Sequence, residues 1–150
     1  MSEVIILQGI QGSGKSTWAL SWVNEKPNSR IRVNRDSIRN MFGKYWVPDR
    51  ESIVTVVENT VIKESILKGY DVVIDDMNLN DKTIVSLEDL VKSINPTTSI
   101  RYKLFNTPLA ECIIRVNDRN KSLPNDKQIP IPVLINTYNK YKDKYNLSFV

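Results

Sequence analysis

Histidine is absent from this 150-residue chain, which removes the commonest general base and the commonest zinc ligand together. Any acid–base chemistry must therefore fall to carboxylates. A single cysteine, Cys112, excludes an internal disulfide and a thiolate metal cluster, and gives no sign of an oxidising compartment. No apolar run approaches the roughly 20 residues that a membrane span requires. Met1-Ser2-Glu3 is acidic where a secretory signal would be basic. These absences lead us to expect a cytoplasmic chain with no membrane partner. At this length the simplest expectation is one domain over residues 1–150, burying about two thirds of its unfolded surface in one core. The excess of 21 Lys and Arg over 17 Asp and Glu, a net charge of +4, suits an anionic ligand without specifying one.

Glycine is also scarce, with five in the chain, yet three of them fall within Gly9-Ile10-Gln11-Gly12-Ser13-Gly14-Lys15-Ser16. This segment fits the phosphate-binding loop G-x-x-x-x-G-K-[ST]. Small residues there let successive backbone N–H groups curl around a phosphate, Lys15 reaches the β and γ phosphates, and the Ser16 hydroxyl can ligand Mg²⁺. A helix opening at the loop adds its positive end. The flanks agree, because Val4-Ile5-Ile6-Leu7 is an apolar run before the loop and Thr17-Trp18-Ala19-Leu20 begins a helical pattern after it. The segment predicts nucleoside-triphosphate binding, with ATP and Mg²⁺ as the expected cofactors.

Beyond the loop, strand and helix patterns alternate. Strands are expected over Val4–Gln8, Ile31–Val33, Val72–Ile74 and Ser99–Phe105. Helices are expected from Gly14 to Asn24, from an Asn34 cap to Phe42, and from Arg50 to Leu67 with Ile53, Val57 and Val61 on one face. Further helices should run from an Asn80 or Asp81 cap to Asn95, from a Thr107 cap with Pro108 in the first turn to Asn120, and from Val133 to Tyr145. Gly43 and Gly69 read as helix stops. Four strands separated by helices imply an α/β fold, a parallel sheet of about four strands covered on both faces.

Three clusters could carry chemistry. Asp36 and Arg39, at i and i+3 directly after a strand, share a helix face beside the phosphate loop, where a carboxylate can take a hydroxyl proton and an arginine can hold an anionic acceptor. Asp75-Asp76 ends the strand at 72–74, the place for an acid that meets Mg²⁺ directly or through water. Arg115 and Arg119, spaced i and i+4, lead into a proline-containing loop that also carries Lys121 and Lys127. Arginines on a flap suit charge stabilisation of a transferring phosphoryl group.

Together, Gly9 to Thr17, Asn34-Arg35-Asp36-x-x-Arg39, Asp76-x-Asn78-Leu79-Asn80, Arg115-x-x-x-Arg119 and Pro130-x-Pro132-Val133-Leu134 resemble the kinase domain of the phage-type 5′-hydroxyl polynucleotide kinases, in order over nearly the whole chain. The resemblance implies a P-loop kinase fold with a C-terminal lid over about residues 111–132, and transfer of the γ phosphate of ATP to a 5′-hydroxyl end of DNA or RNA. It implies donor-site roles for Gly9, Gly12, Ser13, Gly14, Lys15, Ser16 and Thr17, with Arg115 and Arg119 from the lid. Asp36 would be the general base, Arg39 the holder of the acceptor phosphate, and Asp76, rather than Asp75, the acid of the metal and acceptor site, alongside Ser16. The phosphatase domain that accompanies some members is not expected here, since no D-x-D-x-T cluster occurs. Two other readings stand beside this one: a small P-loop kinase acting on a nucleoside, nucleotide or other small hydroxyl compound, and a non-enzymatic nucleotide-sensing or nucleic-acid-binding subunit. Lys44, Tyr45 and Trp46 are placed where bases could stack on a strand-binding groove.

Overall fold

In the computed structural model, which describes residues 2–150, the first apolar run forms β1 (Glu3–Gln8), flanked on both sides by parallel partners. The chain continues through α1 (Lys15–Glu25), β2 (Arg30–Val33), α2 (Arg35–Met41), α3 (Glu51–Leu67), β3 (Asp71–Ile74), α4 (Asp81–Ile94), β4 (Ser99–Leu104), α5 (Leu109–Asn120) and α6 (Ile131–Tyr145). The four strands lie in the order β2-β3-β1-β4, with Ile6 opposite Ile74, Val33 opposite Ile74, and Gln8 opposite Leu104. This is the expected α/β architecture: a four-stranded parallel sheet with helices on both faces.

The two-residue period of the central strands divides the core. Val4 and Ile6 of β1 join Val72 and Ile74 of β3 in a cluster with Ile38, Val54, Ile62, Leu87 and Val91 from α2, α3 and α4. Ile5, Leu7 and Val73 point the other way and pack on Ala19 and Trp22 of α1. Each fully buried aliphatic side chain of this kind stabilises the fold by about 1.5–3 kcal/mol relative to exposure. A third cluster lies beyond the sheet's C-terminal edge. There Leu109, Cys112 and Val116 of α5 and Leu134 and Tyr138 of α6 close over Ile10 and Leu79, which follow β1 and β3 in the chain.

Two local expectations change. On α3 the buried stripe is Val54, Glu58, Ile62, Ser65 and Ile66, while Ile53 is 52% exposed. The i, i+4 row that faces the sheet carries a charged residue, Glu58, so the apolar pattern alone pointed one position away from it. At the start of α5, Thr107 does not cap the helix through its side chain. Its hydroxyl donates instead to the Ser13 carbonyl at 2.7 Å, tying the phosphate loop to the roof helix.

Candidate active site

The loop between β1 and α1 turns at Gly12 (φ 78°) and Gly14 (φ 99°), both in the left-handed region. Gly12 has a second reason to lack a side chain: a Cβ there would sit 2.9 Å from the Cys112 carbonyl and from the Val116 side chain. Lys15 folds back over the loop, its Nζ donating to the carbonyls of Gly9 (2.9 Å) and Ile10 (2.8 Å). Burial lowers the Lys15 ammonium to about 8, against the opposing pull of the Asp75 and Asp76 carboxylates. The amine is thus cationic below about pH 8, and a phosphate bound beside it would favour the cation. ADP affinity should therefore be level at neutral pH and fall above pH 8, approaching roughly tenfold per pH unit. Titrating ADP across this range checks it; Lys15→Arg should give a flat profile, and a flat wild-type profile would show that the Lys15 charge is not in contact with the phosphates.

The ends of β2 and β3 are stitched side by side. Asp75 N–H donates to the Val33 carbonyl, Asn34 Nδ2 donates to the Asp75 carbonyl, and the Arg35 N–H donates to Asp76 Oδ1 at 2.8 Å. Asn34 also caps α2, its Oδ1 accepting from the Ser37 N–H at 2.9 Å. The next turn is locked by Asn78, whose φ of 47° is unusual for a residue other than glycine. Its buried Nδ2 donates to the Leu7 carbonyl at 2.8 Å, and Gly9 N–H donates to the Met77 carbonyl. The phosphate loop and the acidic turn are thereby held as neighbours.

Successive residues after β3 keep the strand's alternation, and the two acids diverge. Asp75, 1% exposed, pairs with Arg32 Nε at 2.8 Å on the α1 side. Asp76 lies on the α3 side, where Glu58, only 3% exposed, faces it. Burial, and then the neighbouring Glu58 carboxylate, push Asp76 well above the usual carboxylate range. Burial raises Glu58 as well, against the pull of Asp76 and of Arg35, whose guanidinium lies 3.6 Å away.

Asp36 stands at the start of α2 with its side chain 53% exposed. Its Oδ1 accepts from Arg39 at 2.7 Å and from the Tyr45 hydroxyl. Arg39 is more enclosed, 16% exposed, and donates twice to Glu51, at 2.6 and 2.9 Å. That double hydrogen bond and charge pair holds Arg39 firmly ionised and lowers Glu51 below the usual carboxylate range. Burial, followed by the hydrogen bond to Asp36, raises the Tyr45 hydroxyl. Tyr45 is thus occupied with Asp36, while Trp46 is exposed and packs under the Arg39 guanidinium, 5.6 Å from the ring centre.

From the roof, Arg115 donates to the Gly12 carbonyl at 3.3 Å and to Glu111 at 3.2 Å, so it already touches the phosphate loop. Arg119 is exposed and borders both cavities at the site. The larger, about 1370 Å³, runs from Lys15 and Ser16 past Asp75 and Asp76 to Asp36 and Arg39. A recess of about 220 Å³ adjoins it between Ser37, Asn40, Tyr45 and the residues Leu123 and Lys127 that follow α5.

The residues fit a divalent cation shared with phosphates. Mg²⁺ takes one or two protein carboxylates or hydroxyls and completes its shell with phosphate oxygens and water. Ser16 lines the large cleft, and so do Asp75 and Asp76, whose buried Oδ1 and Oδ2 respectively have no hydrogen-bond partner. No group of three or more metal-ligating side chains stands among the described residues, as a phosphate-dependent site allows. The structure adds Arg32, Glu51 and Glu58 to the site and ties Tyr45, read above as a stacking platform, to Asp36 through its hydroxyl. Of the three additions only Glu58 left a trace in the sequence, as a charge at the i+4 position between Val54 and Ile62.

A phosphate loop at the end of the first of four parallel strands, facing an acidic strand end and an Asp–Arg helix start under an arginine-bearing roof, defines a P-loop nucleotide-binding domain of the kinase kind. The chain belongs to the AAA domain family, whose model matches residues 4–141. It is 27% identical over 141 residues to L-seryl-tRNA(Sec) kinase of Methanococcus maripaludis, covering 92% of this chain and 52% of that protein. The fold matches a chain in the structure of the Pnkp1/Rnl/Hen1 RNA repair complex with a TM-score of 0.83 at 24% identity, over 99% of this chain and 47% of that one. The Mycobacterium tuberculosis APS kinase CysC, solved with AMPPNP and APS, matches with a TM-score of 0.61 at 16% identity, over 86% of this chain and 76% of that one. The polynucleotide-kinase resemblance read from the motifs is thus met at the level of the fold. The chain spans about half the length of the curated relative and of the repair-complex chain. No helix among the described residues is long and apolar enough to cross a membrane.

Proposed function

We propose that this chain is a Mg²⁺-dependent phosphotransferase that moves the γ phosphate of ATP to the 5′-hydroxyl end of a nucleic acid, in end repair. The observation that carries the reading is the continuity of the large cleft. One space joins Lys15 and Ser16 to Asp36 and Arg39, with Arg119 at its border, which supports a single chamber for donor phosphates and an acceptor hydroxyl. The loop N–H groups and Lys15 hold the donor phosphates. Ser16 and the acids after β3 would hold a Mg²⁺ ion, which would supply charge neutralisation at the donor phosphates. Asp36 orients the acceptor hydroxyl and takes its proton as the O5′–Pγ bond forms and the bond from Pγ to the bridging oxygen breaks, releasing ADP. Arg119 and Arg115 neutralise the charge that spreads over the transferring group.

Arg39 already spends three donors on Glu51 and Asp36, which leaves part of its five-donor fork for an acceptor phosphate. A nucleoside 3′-monophosphate or an oligonucleotide should therefore be phosphorylated with a kcat/KM roughly ten- to hundred-fold above that of the plain nucleoside, since a charge-assisted contact contributes about 1.5–3 kcal/mol. Equal use of the plain nucleoside would overturn the strand-end assignment and favour a kinase of small hydroxyl compounds. The likeness to L-seryl-tRNA(Sec) kinase favours one specific form of that second reading, a hydroxyl carried on another group. Absence of transfer to any acceptor, with ATP bound, would instead favour a nucleotide-sensing subunit.

A further inference from the structure

Arg32 is a charged residue on β2 that no motif marked. In register it pairs with Val73, whose side chain packs toward α1, and its own side chain reaches that face. There it meets two groups of the donor site. Nε donates to Asp75 Oδ2 at 2.8 Å, and the NH2 nitrogen lies 3.4 Å from Ser16 Oγ. Asp75 is 1% exposed, its Oδ1 has no partner, and it lines the cleft beside Ser16. The guanidinium donor occupies one of the two lone pairs of Ser16 Oγ, and its fixed positive charge would repel a divalent cation placed beside the same oxygen.

We infer that Arg32 is a positioning residue that competes for the metal site. It holds Asp75 and the Ser16 hydroxyl, gives up Ser16 when a divalent cation binds with the nucleotide, and so sets how strongly metal and nucleotide binding are coupled. Arg32 touches neither substrate nor reacting atoms; it acts through Ser16 and Asp75. The inference rests on the phosphate loop being the donor site and makes no use of the acceptor.

The test therefore omits the acceptor. ADP affinity is measured in EDTA and in Mn²⁺, and bound Mn²⁺ is counted by electron paramagnetic resonance, for the wild type, Arg32→Met, Asp75→Asn and the double variant. Arg32→Met should strengthen the coupling between Mn²⁺ and ADP by roughly tenfold or more, because the metal no longer meets a resident cation. Asp75→Asn should weaken it by at least a similar factor, leaving Arg32 with no counter-charge. Arg32→Met alone leaves Asp75 buried without its partner and can fail to fold. The double variant carries no such orphan, and its coupling should exceed that of Asp75→Asn by roughly tenfold. Coupling equal in the double variant and in Asp75→Asn would overturn the inference. So would weakened coupling in folded Arg32→Met, which would make Arg32 a prop of the metal site rather than its competitor. Loss of ADP binding by every protein, including the wild type, would instead overturn the donor-site reading beneath it. Failure of phosphoryl transfer to a nucleic acid would leave these metal measurements standing.

Discussion

Replacing Lys15 by alanine is expected to lower phosphoryl transfer by at least about 10³-fold while leaving a cooperatively folded protein of undiminished stability. The kinetic half of this expectation follows from position. Lys15 is the one cation of the phosphate loop itself, and phosphates must draw its Nζ away from the Gly9 and Ile10 carbonyls to reach the geometry of transfer. The stability half follows from cost. Burial holds the Lys15 ammonium at about 8, so the folded state disfavours the charge that alanine removes. The loop's shape is secured elsewhere, by the left-handed Gly12 and Gly14, the Thr107 hydroxyl on the Ser13 carbonyl, and the packing of Ile10 under α5 and α6. A transfer assay paired with thermal unfolding checks both halves. Near wild-type turnover by folded Lys15→Ala protein would remove residues 9–16 as the donor site.

Asp36→Asn should cut kcat by about 10²- to 10⁴-fold and change the acceptor KM far less. Asparagine preserves shape: its Oδ1 can accept from both Arg39 and the Tyr45 hydroxyl, as Asp36 Oδ1 does. What it loses is the capacity to take a proton. The chain has no histidine to stand in. The other acids of the cleft are committed, Asp75 to Arg32 and Asp76 to Arg35 with Glu58 beside it, so rescue from nearby is not expected. Steady-state kinetics with a 5′-hydroxyl oligonucleotide separates the cases. A rise in acceptor KM at unchanged kcat would assign Asp36 to binding alone.

The roles of Asp36 and Arg39 also show how far local reasoning reaches. Their i, i+3 spacing after a strand was readable because it depends on one helix turn, and the ion pair is present at 2.7 Å. From the sequence alone, Arg39 is a holder of an anionic acceptor that shares a helix face with Asp36. In the structure Glu51, twelve residues away at the start of another helix, takes two of its donors. Nothing local to Arg39 names that partner. Tyr45 shows the same limit: an aromatic in a loop suggested base stacking, whereas its hydroxyl is bound to Asp36.

Other elements divide along the same line. The phosphate loop, the alternation of strands with helices and the placing of acids at the end of β3 are written in contiguous residues: glycines where φ is positive, apolar runs of strand length, and helix patterns between them. Each is set by backbone sterics or by a period of two or 3.6, which neighbouring residues carry without help from the rest of the chain. Which face of α3 meets the sheet was decided only by packing, which buries Glu58 in the stripe and leaves Ile53 in solvent. Which of the two adjacent acids looks toward Ser16 and which toward Glu58 was decided by the pleat and by Arg32, whose register on β2 is a long-range pairing. Such contacts bring together residues some 40 positions apart, and the attraction of Arg32 for Asp75 and of the Arg35 N–H for Asp76 must offset the cost of taking both carboxylates out of water. A sequence specifies that space only through the folding of every element around it.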